Sequence, residues 1–296
     1  MNVPQQQVNA YFQSQSSYWE DIYSSSGVQG EIYRDRQAAV LAWIDSLALV
    51  PGSKVLEIGC GAGFMAVALA ERGFHVHAID PTKAMVELAR QHTAESGNAD
   101  LISLEVGDVS ALTFEDGSFE LVIAIGVIPW LKQVEQAIQE IARVTRPGGH
   151  VILTADNQAR LIYLLDPWLN PTLKPLRKGV KAVLERLGFP HWFSNEINST
   201  LHNRRFIDGT LARAELVKTK DMTLGFGPFS FLRRRVLPEP FGTAFHRQLQ
   251  TLADRNVPVL RSTGTQYLVL ARKSAPRPLA QPTSAEKLVS NATSAP

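Results

Sequence analysis

Cysteine is almost missing from this chain. Of 296 residues only Cys60 is one, so no intrachain disulfide can form, and a reducing compartment is the expected setting. Long apolar runs are missing as well: none approaches the ~18 residues of a membrane span. Met1–Gln7 has neither the basic nor the apolar region of a secretory signal, which makes the cytoplasm the expected location. Charge of one sign is scarce, since the formal net charge is +2, too small to mark a nucleic-acid binder. The histidines are scattered and Cys60 stands alone, so no metal-ligand cluster is expected, and no internal repeat is present. What remains, 45% hydrophobic and 20% charged residues, is the composition of a folded globular protein with one large domain or a domain plus an appendage.

Glycine is concentrated at one place, Val55-Leu56-Glu57-Ile58-Gly59-Cys60-Gly61-Ala62-Gly63. Val55 to Ile58 read as a buried parallel strand and Phe64 to Arg72 as the helix after it, which puts the glycines in a strand-to-helix turn. Such a turn lets a ligand lie against backbone N–H groups at a helix start. A dinucleotide fingerprint needs its third glycine at residue 64, which is Phe64, and a P-loop needs Lys and Ser or Thr after Gly63, where neither stands. Instead a carboxylate, Glu57, precedes the first glycine by two residues. It would repel a pyrophosphate and suit a cation. This nonapeptide resembles motif I of the class I S-adenosylmethionine-dependent methyltransferases, whose cofactor carries a sulfonium and an α-ammonium group. The resemblance implies that Glu57, Gly59, Gly61 and Gly63 bind that cofactor.

Further residues follow in the order this family would have them. His75 to Asp80 read as a second strand ending in an acid, 17 residues beyond Gly63, where an acid accepts hydrogen bonds from ribose hydroxyls. The alternative is a carboxylate that only caps the helix starting at Lys83. Leu101 to Val106 make a third strand, and the turn after it carries Asp108 and Val109, which the resemblance assigns to the adenine; a plain surface turn acid is the alternative. Leu121 to Ile125 form an uninterrupted apolar run, a central parallel strand. Ile125 and Gly126 at its carboxyl end are expected beside the methionine moiety. The next loop, Val127-Ile128-Pro129-Trp130, lacks the polar pair common in small-molecule members, so no general base stands there. It also lacks the acid or amide and the paired prolines of the amino-methylating DNA enzymes, which argues against a nucleobase amine as acceptor. Arg146-Pro147-Gly148-Gly149 before the fifth strand, His150 to Ala155, extends the resemblance over residues 36 to 156.

The expected fold is α/β, a doubly wound, seven-stranded, mostly parallel Rossmann-like sheet. Residues 1–35 are expected to be an N-terminal lid helix, 36–156 the cofactor-binding core, and 157–215 a helical substrate cap inserted after strand five. Residues 216–273 would supply the final strand pair, and 274–296, rich in Pro, Ala, Ser and Thr, a disordered tail. Six basic side chains against two acids between residues 160 and 187 raise an anionic or carrier-linked acceptor, or contact with a membrane surface, as alternatives to a merely solvated face. Candidate bases are Asp156, at the end of strand five, and His191 and His202 in the cap; Asp156 has helix capping as its alternative, and a lone loop histidine is more often structural. The function expected from the resemblance is methyl transfer from S-adenosyl-L-methionine to a small molecule, with oxygen as the acceptor atom on family frequency. The alternatives are a non-catalytic binder of that cofactor and, disfavoured by Phe64, a nicotinamide-dependent enzyme.

Overall fold

The computed structural model describes residues 5–23, 25–186, 199–232 and 234–275; His191 and the tail beyond residue 275 lie outside them. The chain begins with α1 (Gln5–Ser14), α2 (Ser16–Asp21) and α3 (Val28–Ser46). The alternating core follows as β1 (Lys54–Ile58), α4 (Phe64–Ala70), β2 (His75–Asp80), α5 (Lys83–Ala94), β3 (Ile102–Val106), β4 (Phe119–Ala124), α6 (Val134–Val144) and β5 (Thr145–Asp156). Then come α7 (Leu161–Leu165), α8 (Lys174–Arg186), α9 (Arg204–Arg213), β6 (Leu216–Leu224), a hairpin of β7 (Ser230–Phe231) and β8 (Arg234–Arg235), α10 (Glu239–Asp254), α11 (Leu260–Thr263) and β9 (Gln266–Lys273).

Seven strands form one sheet in the order β3-β2-β1-β4-β5-β9-β6. The first five run parallel, and β9 is antiparallel to both of its neighbours. This is the expected doubly wound sheet. Its centre is apolar on both faces, since Leu56, Leu121, Val122, Ile123, Ile152, Leu153, Leu268 and Val269 are all fully buried. A strand covered on both faces has no solvent side to keep polar, which is why β4 reads as a continuous apolar run. Each fully buried side chain of this size contributes roughly 1.5–3 kcal/mol, so the central strands hold most of the stability. Helix α6 buries Val134, Ala137, Ile138, Ile141 and Val144 on one stripe at helical spacing. The strand order reverses between β1 and β4, and the crevice at their carboxyl ends is where ligands enter such sheets.

One boundary differs from the sequence reading. The Arg-Pro-Gly-Gly segment does not precede the fifth strand but lies inside β5, where the pairing with β4 shifts register between Phe119 and Leu121. Gly148 has φ +76° there, so the segment works as an irregularity within the strand, not as a break before it. Thr82 stands at the N-cap of α5 and makes no side-chain cap bond; its N–H donates to Asp80 at 2.9 Å. In the inserted segment, Ile207 and Leu211 of α9 are fully buried in the same core cluster as β4 and β5, so α9 packs on the sheet. Helix α8 is amphipathic, yet Leu176, Val180 and Val183 on its apolar stripe are exposed. Of its basic residues, Arg177 donates to the carbonyls of Asn170 and Pro167, while the side chains of Lys174 and Lys181 lie outside the described part. No helix among the described residues is long and apolar enough to cross a membrane.

Helix α3 matters to the site because it carries Tyr33 and Arg36, and its start is held from far along the chain. Gly27 at its N-cap has no side chain to offer, and the Val28 N–H instead donates to the Glu239 carboxylate at 3.0 Å. Replacing Glu239 by Ala should cost about 0.5–2 kcal/mol, the worth of a lost helix cap. A fall in the thermal midpoint with the far-ultraviolet spectrum preserved is the expected result, and an unchanged midpoint would show that water caps α3 equally well.

Candidate functional site

A cavity of about 210 Å³ opens at the carboxyl ends of β1, β2 and β4. Its floor is the glycine turn. Gly59 has φ +70°, and a Cβ there would stand 2.5 Å from Val127 Cγ2, so only glycine fits between β1 and the loop after β4. Gly63, with φ +82°, is the N-cap of α4 and packs on Ala89. The turn therefore brings the start of α4 down against α5 and presents Gly59, Cys60, Gly61 and Ala62 to the cavity.

Two acids face this floor. Glu57, on β1, is 5% exposed, and its Oε2 is buried without a hydrogen-bond partner. Burial, with the Asp80 carboxylate as a second cause, pushes Glu57 up to about 8. Asp80, at the end of β2, accepts from the Thr82 N–H at 2.9 Å and from the Gly61 N–H at 3.2 Å. Burial pushes its pKa up, and those two amides oppose the shift. Cys60 also lines the cavity, but burial raises its thiol so far that it stays protonated and is no nucleophile.

The opposite wall comes from the N-terminal helices, as a lid would. Phe12, Trp19, Tyr23 and Tyr33 line it, and Phe12 meets Trp130 edge-on with ring centroids 5.1 Å apart. Arg36 belongs to the same wall and is 5% exposed. Its guanidinium lies 4.4 Å from the Tyr33 ring centroid and donates to the Tyr23 hydroxyl at 3.3 Å, and no carboxylate among the described residues pairs with it. A buried guanidinium without a counter-ion is costly unless a ligand supplies the anion. Sequence reading missed Arg36, because one arginine on an amphipathic helix carries no local signal. Tyr33 is pushed up to about 12, mainly by burial, and so remains a neutral phenol.

The remaining sequence-selected residues fall on both sides of the wall. Ile125, Gly126 and Asp156 line the cavity. Gly126 donates its N–H to Thr154 Oγ1 at 2.7 Å and faces Arg36, whose Nη1 would stand 3.4 Å from a Cβ placed there. Asp156 pairs with Arg160 at 2.6 Å and accepts from the Ser199 hydroxyl, both through Oδ2. Asp108 and Val109 are not on the wall: Asp108 is exposed and accepts from the Ser110 N–H at 2.8 Å, and Val109 is buried in the core. His202 is also off the wall. Its backbone N–H donates to the Asp156 carbonyl, its ring stacks on Phe206, and burial lowers its pKa so that the imidazole is neutral.

This donor set suits a ligand carrying both signs of charge: a cation for Glu57, an anion for Arg36 and a diol for Asp80. Residues 56–153 match the family model described as a methyltransferase domain. A curated relative, the ubiquinone biosynthesis O-methyltransferase of Paracidovorax citrulli, is 33% identical over 157 residues, covering 53% of this chain and 64% of the relative. The chain spans less than two thirds of the length of the curated relatives it matches first. Among solved structures, magnesium protoporphyrin IX methyltransferase from Synechocystis, with SAH bound, superposes with a TM-score of 0.59 at 16% identity, covering 91% of this chain and 99% of that one. The cyclase SpnF superposes with a TM-score of 0.50 at 16% identity, covering 77% of each chain. Both share the fold. The family match joins the sheet order and the cavity in one conclusion: residues 56–153 are a methyltransferase domain, built on the fold of the class I, S-adenosylmethionine-dependent enzymes.

Proposed function

We propose that the protein methylates a hydroxyl oxygen of a small molecule, using S-adenosylmethionine. The observation that carries this reading is the pairing of an unpartnered buried carboxylate, Glu57, with an unpaired buried guanidinium, Arg36, on two walls of one cavity. The cofactor has a sulfonium and an ammonium for the first and a carboxylate for the second. Asp80 receives the ribose hydroxyls, the turn at Gly59, Gly61 and Gly63 accommodates the nucleoside against the backbone, and Ile125 and Gly126 flank the methionine chain. Asp108 and Val109, at the end of the strand beside the one carrying Asp80, are retained for the adenine edge. The oxygen specificity is supported by the name of the O-methylating relative.

When bound, the cofactor supplies a methyl group already activated by the sulfonium, and its sulfur keeps the electron pair of the broken bond as a neutral thioether. The protein's own work is then to orient, to dry the site and to take one proton. Phe12, Trp19, Tyr23 and Trp130 exclude water from the cavity. Asp156, held through Oδ2 with no described residue bonding Oδ1, is the acid on the wall not assigned to the cofactor, so it is the group to receive the acceptor's hydroxyl proton. His202 lies off the wall, and His191 lies outside the described residues.

Calorimetry should show that S-adenosylmethionine binds and NADH does not, and incubation with methyl-labelled cofactor and a panel of phenols should release S-adenosylhomocysteine. Binding without any turnover would leave a non-catalytic cofactor-binding protein. Asp80→Ala should weaken cofactor binding by roughly 1.5–3 kcal/mol, about 10- to 150-fold, with the fold retained; unchanged affinity in a folded variant would remove Asp80 from the site.

A pH dependence follows from Glu57. With the cavity free, its carboxyl holds a proton up to about pH 8. A bound cation lowers that value, so binding expels the proton, and affinity must rise with pH until about 8 and then level off. The ligand's own α-amino group titrates nearby, so Glu57→Gln is the control: its affinity profile should lose the rise that wild type shows between pH 6 and 8. Parallel profiles would mean that Glu57 does not meet the cation.

A further inference from the structure

The first residue of β9, Gln266, lies on the cavity wall and is used by nothing described so far. Its Oε1 is buried and has no hydrogen-bond partner. In the antiparallel pairing of β5 with β9, Gln266 stands directly opposite Asp156, and directly opposed residues project to the same face of a sheet. An amide and a carboxylate are thus side by side at the mouth of the strand pair, both facing the space between the lid and the sheet.

Their neighbours hold this pair rigidly. Asn157, next to Asp156, is 1% exposed, and its side-chain amide donates to the carbonyls of Ser262 and Gly264, each at 2.8 Å. Its backbone N–H donates to the Thr265 carbonyl at 2.9 Å. These three bonds fix the turn that delivers Gln266. Arg160 and Ser199 fix the Asp156 carboxylate through Oδ2, and no described residue bonds Oδ1. A carboxylate immobilised through one oxygen, with an amide opposite it across the strand pair on the same cavity wall, forms a preorganised docking point.

The chemistry of the surroundings restricts what can dock. A carboxylate or phosphate would be repelled by Asp156, and a protonated amine by the Arg36 and Arg160 guanidinium groups beside it. A neutral hydroxyl meets both groups at once, donating to Asp156 Oδ1 while Gln266 Nε2 donates to its oxygen; Gln266 Oε1, buried behind the wall, takes no part. The body attached to that hydroxyl would lie among Phe12, Trp19, Tyr33 and Trp130, flat apolar faces suited to a planar ring. We propose that Gln266 and Asp156 together dock the acceptor and select a phenolic hydroxyl, with Gln266 the positioning residue that aims a lone pair of the oxygen. The inference rests on the methyl-transfer reading. In the step it serves, an O–C bond forms as the C–S bond breaks, the electron pair of that bond stays on sulfur, and the hydroxyl proton passes to Asp156.

The test uses the full chain saturated with S-adenosylhomocysteine and two probes, 4-pentylphenol and pentylbenzene, followed by quenching of tryptophan fluorescence. Wild type should bind the phenol about 10-fold more tightly than the hydrocarbon, the worth of one to two hydrogen bonds. Gln266→Met, which keeps the length of the side chain and removes the amide, should bring that ratio close to one. Its pentylbenzene affinity, S-adenosylhomocysteine affinity and thermal midpoint should stay at wild-type values, which a merely structural role for Gln266 would not allow. A wild-type ratio near one, no binding of the phenol to the S-adenosylhomocysteine complex, or a ratio that survives in Gln266→Met would each overturn the inference. If S-adenosylhomocysteine itself does not bind, the methyl-transfer reading falls first, and that outcome is distinct from the other three.

Discussion

Two carboxylates, Glu57 and Asp80, are buried at the carboxyl ends of neighbouring strands, and the site is organised around managing their charge. Asp80 is held by two backbone amides, that of Gly61 in the glycine turn and that of Thr82, two residues beyond Asp80 itself. Glu57 has one oxygen with no partner, so in the ligand-free protein it avoids the cost of a buried charge by keeping its proton. A cation entering the cavity reverses that balance. The glycines matter here for more than room: with φ +70° at Gly59 and φ +82° at Gly63 the turn folds back so that the Gly61 N–H reaches Asp80, and a side chain at Gly59 would collide with Val127.

The opposite charge comes from a different part of the chain. Arg36 rides on α3, which is anchored at its start by Glu239 on α10 and along its length by the buried Val40, Trp43 and Ile44. A second tie to α10 is the fully buried His246, whose Nδ1 accepts from the Phe226 N–H, leaving Nε2 to donate to Asp35 at 3.0 Å. The lid is thus bound to the last third of the protein as well as to the sheet. Glu57 on the sheet and Arg36 on α3 thus stand on two walls of one cavity, and Asp156 and Gln266, at adjoining ends of β5 and β9, line it as well.

The sheet alone does not dictate the reaction. Superposition at 16% identity on a methyltransferase and on a cyclase shows how little of the chemistry the fold specifies. In this chain the specific content lies in side chains that the β-α alternation does not require: Arg36, Asp156 with its fixed Oδ2, and Gln266.

What the sequence determined by itself is what short-range pattern encodes. The apolar run at Leu121 to Ile125 can only be a strand covered on both faces, the 3.6-residue stripe of α6 can only lie on a sheet, and Glu57, the three glycines and Asp80 sit within 24 residues at a spacing set by one strand-turn-helix-strand unit. The tertiary structure decided the rest. Arg36 meets the cavity because α3 packs against α10 and β6, both from the last third of the chain. Gln266 meets Asp156, 110 residues earlier in the chain, only because β9 enters antiparallel in one register, and a slip of one residue would turn its side chain to the other face. Asp108 was equally visible in the sequence; its exposed carboxylate accepts from the Ser110 N–H, at the end of the strand beside the one carrying Asp80. Local periodicity fixes which element forms, whereas the convergence of charges on one cavity depends on long-range packing and register, which no window of sequence contains.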